Sequence, residues 1–429
     1  MVLSRVLPCL LLLFAVITGT GCRQGGTTAS PVILRVWSHQ GQEAENQALR
    51  SIAAAFNDAH ASEGLQVELT FFPDFQYTEK LSIAAAADDL PDAFDLDGPL
   101  VARFAEAGLL QPLDAWVTAE DRRDFLPTIL AQGTVHDQLY ALGAFESAVV
   151  LYYDRDWLAR AEVTPPAAGQ AWSWDEFLAA CEKLQATGLD PVALHMDDAA
   201  DEWYTYAFSP VLWSAGGRLI SGDGTTVAGV LASRENVEAL QRWQALFTRG
   251  YAATDPVEPD PFGRGHVAMD WSGHWMARGH LAAKGDRLGV MPLPRLGAQS
   301  VAPSGSWCWA LSQASTHPEA AARWLRWVTG AQTGVIPMVR ANGAVPARRS
   351  AFDAFPEYSS DPYRLFRQQL ETIARPRPRT PYYATLTQRF AGAVREIARG
   401  AEVRRRLQVA EREIQEVIDR REQRKGGGS

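Results

Sequence analysis

"VILRVW", residues 32–37, is the stretch on which the fold turns. Apolar and β-branched side chains dominate it, and Ser30-Pro31 and Ser38 bound it, so it reads as a buried strand. Working outward, a helix follows at about 42–60, with Leu49, Ile52, Ala53 and Phe56 on one face. "QVELTFF" (66–72) is the next strand, a helix covers about 76–87, and "DAFDLD" (92–97) closes a third strand. Strands alternating with helices build a mostly parallel sheet with helices on both faces. In open α/β sheets, ligands sit beyond the carboxyl ends of the strands. That rule singles out His39, Gln40 and Gln42 after the first strand, and Asp95 and Asp97 after the third.

A second α/β region spans about 150–300. In "WSWDEFLAACEKLQATG" (172–188), Ser173 and Glu176 form a capping box, Trp172 and Phe177 a hydrophobic staple, and Gly188 a stop. Another helix, Arg234 to Arg249, starts after Ser233 and ends at Gly250. Between them, "ADEWYTYAFSPVLWSAGG" (200–217) reads as an aromatic-rich loop. Residues 313–330 predict a helix boxed by Thr316 and Glu319 and ended by Gly330. After the loop "RPRPRTP" (375–381), one long charged helix is expected over about 384–424, with Val403, Leu407, Ala410, Ile414 and Val417 as its apolar stripe.

The chain of 429 residues exceeds the roughly 250–300 at which one core usually splits, so two lobes are expected. A net charge of −9, with acids interleaved among the bases of the last helix, argues against a nucleic-acid partner. Arg5 followed by the apolar run Val6 to Ile17 has the form of a secretory leader, too short to span a bilayer. Residues 1–21 are read as that leader, 22–31 as a flexible tether, and "GGGS" (426–429) as a linker-like tail. The Cys closing the apolar run resembles a bacterial lipobox, which makes Cys22 the expected lipidated residue and the lipid the only membrane contact. Of the other cysteines, Cys9 leaves with the leader; Cys181 and Cys308 are expected as buried thiols. No repeated CxxC offers a metal framework, and no cofactor is expected.

Tryptophan is over-used, with 14 in the chain, which hints at a surface for something flat. "VAMDWSGHWMARG" (267–279) concentrates the question: a strand-like run enters a turn carrying Asp270, Trp271 and Trp275.

Several segments together resemble the family 1 extracellular solute-binding proteins, the sugar receptors of ABC importers. The matching stretches include "LRVWSHQG", "DAFDLDGPLVARFAEAGLLQPLDAW", "DQLYALGAFESAVVLYYDRDWLARA", "GHVAMDWSGHW" and "NGAVPARRSAF", and they occur in the family's order. The resemblance implies a type II periplasmic-binding-protein-like α/β fold. Residues 32–147 with 308–334 would form an N-terminal lobe, and 148–307 with 335–425 a C-terminal lobe. Hinge crossings would fall near Phe145–Leu151, near Ala302–Ser312 and after Gly330. A sugar has apolar C–H faces that suit an indole, and hydroxyls in its plane that suit a carboxylate. By resemblance Trp275 is the stacking indole, with Asp270 and Trp271 beside it. Glu146 and the loop Ser304-Gly305-Ser306-Trp307 would meet the ligand at the crossings. Trp203, Tyr204 and Tyr206 would line the second lobe, Tyr382 and Tyr383 are read either as a wall or as core, and Arg348 as a surface cation. The implied partners are a carbohydrate and permease subunits, and a monomer is expected.

Two other classes compete. Glu146 and Asp270 could serve a glycoside hydrolase as its carboxylate pair. His266, Asp270 and His274, spaced four apart, could bind zinc on a helix, but a strand would not let them converge.

Overall fold

The computed structural model describes residues 31–197, 201–255 and 258–426. The expected leader, Cys22, the tether up to Ser30 and residues 427–429 lie outside the described residues. The opening segment forms as read: β1 (Val32–Gln40), α1 (Glu43–His60), β2 (Leu65–Pro73), α2 (Asp74–Ala86) and β3 (Ala93–Asp97). Leu49, Ile52, Ala53 and Phe56 are the buried face of α1, as the spacing requires. After β4 (Ala141–Gly143) the chain crosses into the second lobe. There it makes β5 (Val149–Asp154), α3 (Trp174–Gln185), β6 (Asp190–Ala193), α4 (Asp201–Ser214), α5 (Arg234–Thr248), β7 (Val267–Gly273), α6 (Ala277–Lys284) and β8 (Leu288–Met291). It returns through β9 (Ala302–Ser304) to β10 (Trp307–Leu311), α7 (Pro318–Val328) and α8 (Ile336–Asn342). The remainder is α9 (Tyr363–Thr372), β11 (Ala374–Pro376), α10 (Tyr383–Ala398) and α11 (Val403–Gly426).

The N-terminal lobe holds a sheet in the order β2-β1-β3-β10-β4, parallel among its first three strands and antiparallel at β10. The C-terminal lobe holds the order β8-β5-β7-β6. Alternation along β5 sends Val149, Leu151 and Tyr153 into the C-terminal helical core, and Val150 and Tyr152 into a cluster that continues through the hinge. Where the chain crosses, Phe145 and Glu146 pair with Pro346 and Val345, and β9 pairs with β11.

Four expectations change. The third crossing lies later than Gly330, because α8 packs on α1 of the N-terminal lobe; the boundary at 334/335 therefore moves past Asn342, and the C-terminal helices α10 and α11 alone carry the tail into the second lobe's core. The box at Thr316 and Glu319 does not form: Pro318 opens α7 behind His317, with no side-chain cap. The long terminal helix is two helices, broken at Gly400, which takes φ 96°. Residues 201–214 are a helix, not a loop.

The box at Ser173 and Glu176 is present, with Gly188 left-handed beyond the helix end. Cys181 and Cys308 are both buried and unpaired, and they sit in different cores. Eight of the 14 indoles are buried, so most of the tryptophan excess is packing. Among the described residues no helix is long and apolar enough to cross a membrane.

Candidate ligand-binding cleft

On the N-terminal side, β1 ends by placing His39 flat on Trp307, centroids 3.7 Å apart and planes 8° from parallel. Asp95 holds that imidazole: its carboxylate lies 2.7 Å from His39 Nδ1, and it accepts from the His39 backbone N–H at 3.0 Å and from Ser38 Oγ at 2.7 Å. Asp95 is therefore a brace for the His39–Trp307 stack rather than an open acceptor. Gln40 is exposed at the strand end. Gln42 reaches across to the other lobe, where its Nε2 lies 3.5 Å from the Trp275 carbonyl oxygen.

On the C-terminal side, β7 runs to Gly273, and Trp275 folds back over that glycine. A Cβ at position 273 would lie 2.1 Å from the indole, so only glycine lets the ring approach the backbone this closely. Trp203 meets Trp275 edge-on at 6.0 Å, and Tyr206 lies 6.4 Å from it. The Tyr206 hydroxyl donates to Ser147 Oγ at 3.1 Å, and Ser147 Oγ lies 2.9 Å from His274 Nδ1. Burial pushes the His274 imidazole down to about 3, so it is neutral.

Strand geometry separates residues that the sequence placed together on a turn. Asp270 and Trp271 are successive residues of β7 and point to opposite faces. Trp271 is fully buried in the C-terminal core, its Nε1 donating to the Ala207 carbonyl at 3.2 Å. Tyr204 is likewise core, beneath Arg395. The Asp270 carboxylate is clasped between His195 and His280. Burial acts to raise its pKa, but the two histidines outweigh that and hold the carboxyl below its usual range. His266 pairs with Glu258 and His274 with Ser147, so the trio at 266, 270 and 274 does not converge.

The hinge contains the other acids. Glu146 is fully buried, and its carboxylate accepts from the Ser147 N–H at 3.0 Å, the Gly305 N–H at 2.9 Å and Gln132 Nε2 at 2.8 Å. Gln132 Oε1 in turn accepts from the Ser306 N–H at 3.0 Å. Glu146 thus fastens the first crossing to the second instead of facing outward. Burial raises its carboxyl to about 7 against the pull of those donors. Asp97, the register partner of Trp307, makes a two-pronged pair with Arg377. The same guanidinium bonds Glu202 of α4 and lies 4.8 Å above the Tyr206 ring. These contacts bring Trp307, Asp97, Tyr206 and Trp275 to one seam between the lobes.

Arg348 is not a surface cation. It is buried against the Phe125 ring at 4.0 Å, paired with Asp121 and Asp124 and donating to the Thr329 carbonyl. Tyr382 bonds Glu422, and Tyr383, buried in the N-terminal core, bonds Glu202. Arg377, Glu202, Gln132 and Ser147 escaped the sequence reading. Arg377 lies in a proline-rich run read only as a loop, and the other three have no local pattern because their partners are distant in sequence.

Two α/β lobes joined by crossing strands, with aromatic side chains of both lobes at the seam, define a two-lobed binding protein. Residues 40–335 match the bacterial extracellular solute-binding proteins, and the chain belongs to that family; it is an exported protein. A binding protein of Brucella abortus (strain 2308) is 27% identical over 150 residues, a match spanning 34% of each chain, about a third of that relative's length. The maltodextrin-binding protein MdxE of Bacillus subtilis (strain 168) is 24% identical over 320 residues, 72% of this chain and 73% of that one. Among solved structures, the GacH receptor of Streptomyces glaucescens GLA.O superposes with a TM-score of 0.77 at 22% identity, covering 90% of this chain and 99% of that one. The cyclic alpha-maltosyl-1,6-maltose binding protein of Arthrobacter globiformis gives 0.75 at 23%, covering 91% and 99%.

Proposed function

We propose that this protein is the substrate-binding component of an ABC importer, capturing a carbohydrate of two or more sugar rings between its lobes and delivering it to a membrane permease. The observation that carries this reading is the pairing of aromatic surfaces across the seam. Trp307 on its His39 stack belongs to one lobe, and Trp275 with Trp203 and Tyr206 belongs to the other. Stacked rings bury the C–H faces of a sugar, and Gln42 and His39 stand beside them as polar partners for hydroxyls, with Asp97 held behind them by Arg377. Relatives named for maltodextrin and for melibiose, raffinose and stachyose support the same ligand class. Trp271 and Tyr204 leave the proposed contact set because they are core. Asp95, Asp270 and Glu146 serve it from behind, through the groups they hold, and Gly305 and Ser306 through their backbone.

A glycoside hydrolase needs two carboxylates flanking one bond. Glu146 is enclosed by backbone donors and Asp270 by two histidines, an arrangement that favours binding without chemistry. Anchoring through a lipid on Cys22 and a monomeric state complete the proposal.

The test is a thermal-shift and calorimetric screen with maltotriose, mannobiose, melibiose and raffinose, followed by product analysis after long incubation. Binding without cleavage is expected for at least one of them. Trp275→Ala should then weaken that sugar by a few kcal/mol, the scale of a central aromatic anchor. Unchanged affinity in the variant would remove Trp275 from the site, and cleavage products would restore the hydrolase.

A further inference from the structure

Arg377 bonds carboxylates on both sides of the seam. It follows β11, the strand that pairs with β9 where the chain crosses between lobes, and it is 5% exposed. Its Nη1 and Nη2 reach Asp97 Oδ2 and Oδ1 at 2.7 and 2.5 Å, at the end of β3 in the N-terminal lobe. Nη1 also bonds Glu202, in the first turn of α4 in the C-terminal lobe. Tyr383 and Thr387 of α10 donate to the same Glu202 carboxylate. Glu202 immediately precedes Trp203 and lies four residues before Tyr206, whose ring receives the guanidinium on its face.

We infer that Arg377 is a positioning residue of the proposed sugar site: it ties the aromatic turn of α4 to the N-terminal strand that carries Asp97, and so sets how Trp203 and Tyr206 meet the opposite wall. The inference rests on the reading of that seam as the binding cleft. Its physical basis is a charge imbalance. One guanidinium lies between two carboxylates from different lobes, with Arg377 and Asp97 largely buried and Glu202 partly exposed, so removing it leaves two like charges facing each other without compensation. Bidentate geometry matters as well as charge, because a planar fork can engage Asp97 and keep one donor for Glu202, whereas an ammonium offers a single point. The titratable groups around it are Asp97 of β3, Glu202 and Tyr206 of α4, Tyr383 of α10, Glu146 at the first crossing and Cys308 of β10. Burial raises the Glu202 carboxyl to about 7; Arg377 opposes that shift and Asp97 adds to it.

The experiment uses the full chain without sugar and reads amide exchange by mass spectrometry over residues 201–207, with small-angle scattering, at pH 5 and pH 8. Arg377→Met should raise exchange there at least tenfold at pH 8 and enlarge the scattering radius, and both changes should shrink at pH 5, where the Glu202 carboxyl takes up a proton and the like-charge contact is lost. Arg377→Lys should fall between the two. Exchange and radius like the wild type in Arg377→Met at pH 8 would overturn the proposal, as would a change of equal size at both pH values, which is what simple loss of packing gives. If Arg377→Met does not fold, Glu202→Gln replaces it: the segment should loosen at pH 8 with little dependence on pH, and an unloosened segment refutes the tie. Fluorescence titration of the wild type with maltotriose, mannobiose and raffinose runs separately. A wild type that binds none of them counts against the sugar reading, while the exchange result judges Arg377 alone.

Discussion

A missing methyl group decides where the Trp275 indole lies. Gly273 has extended backbone that any residue could adopt, so its role is space: a Cβ would stand 2.1 Å from one ring atom and 2.3 Å from the next. Gly273→Ala should swing the ring off its seat and reduce sugar affinity about tenfold or more, which calorimetry with the best carbohydrate of the screen would read. Because the glycine acts through the indole, the double variant with Trp275→Ala should bind no more weakly than Trp275→Ala alone; additive losses would deny the link. The neighbouring His274 gives a pH signature. Its folded pKa is depressed to about 3 from an ordinary 6.5, so the fold favours the neutral ring. That stability is fully present above pH 6.5 and is lost as pH falls, about 1.4 kcal/mol per unit, or roughly 2 kcal/mol by pH 5. His274→Gln keeps an acceptor for the Ser147 hydroxyl and removes the titration. The difference between wild-type and variant unfolding free energies should slope between pH 6.5 and 5, and a flat difference would show that the ring is not held neutral.

At the scale of elements, the structure offers a matched pair of helix starts. Ser173 caps α3 through the Glu176 N–H at 3.3 Å, and Glu176 returns the bond to the Ser173 N–H at 2.7 Å. Ser173→Ala should cost about 1 kcal/mol in urea unfolding. Thr316→Ala should cost almost nothing, since α7 begins at Pro318 without a side-chain cap. Equal losses would mean that α7 is capped after all. The contrast shows what a sequence can and cannot display. The box at 173–176 was legible because both partners sit three apart before an apolar run. The same spacing at 316–319 misled because Pro318, with φ already fixed for a helix, claims the first position. The strands and helices of residues 32–97 were legible for the same local reasons. The break at Gly400 and the helical state of 201–214 were not: a single glycine inside a charged periodic run signals a modest cost, and packing of Phe208 on Trp243 outweighs the turn-like look of the segment.

Over the whole molecule, the sequence picked out acids at the end of β3, at the first crossing and in β7, but residue type could not tell a carboxylate that faces a ligand from one that faces the protein. That distinction depends on donors far away in sequence: Gly305 for Glu146, Arg377 for Asp97, and His195 and His280 for Asp270. Glu146 shows the consequence most clearly. Its two oxygens collect N–H groups from both crossing segments and from Gln132, which itself holds the Ser306 N–H. The crossings are therefore fixed to one another at a single buried point, and each lobe can rotate only by bending the strands on either side of it. Glu146→Ala would leave three buried donors without an acceptor, at a cost of about 3 kcal/mol or more. The loss should be local to the hinge, because Trp271 and its neighbours pack in a core that the carboxylate does not touch. Amide exchange at Ser147 and Gly305 should then accelerate on the order of a hundredfold, the equivalent of that energy, while amides of β7 near Met269 and Trp271 keep wild-type protection. Uniform acceleration through both lobes would mean that Glu146 supports the fold at large rather than the joint between its halves.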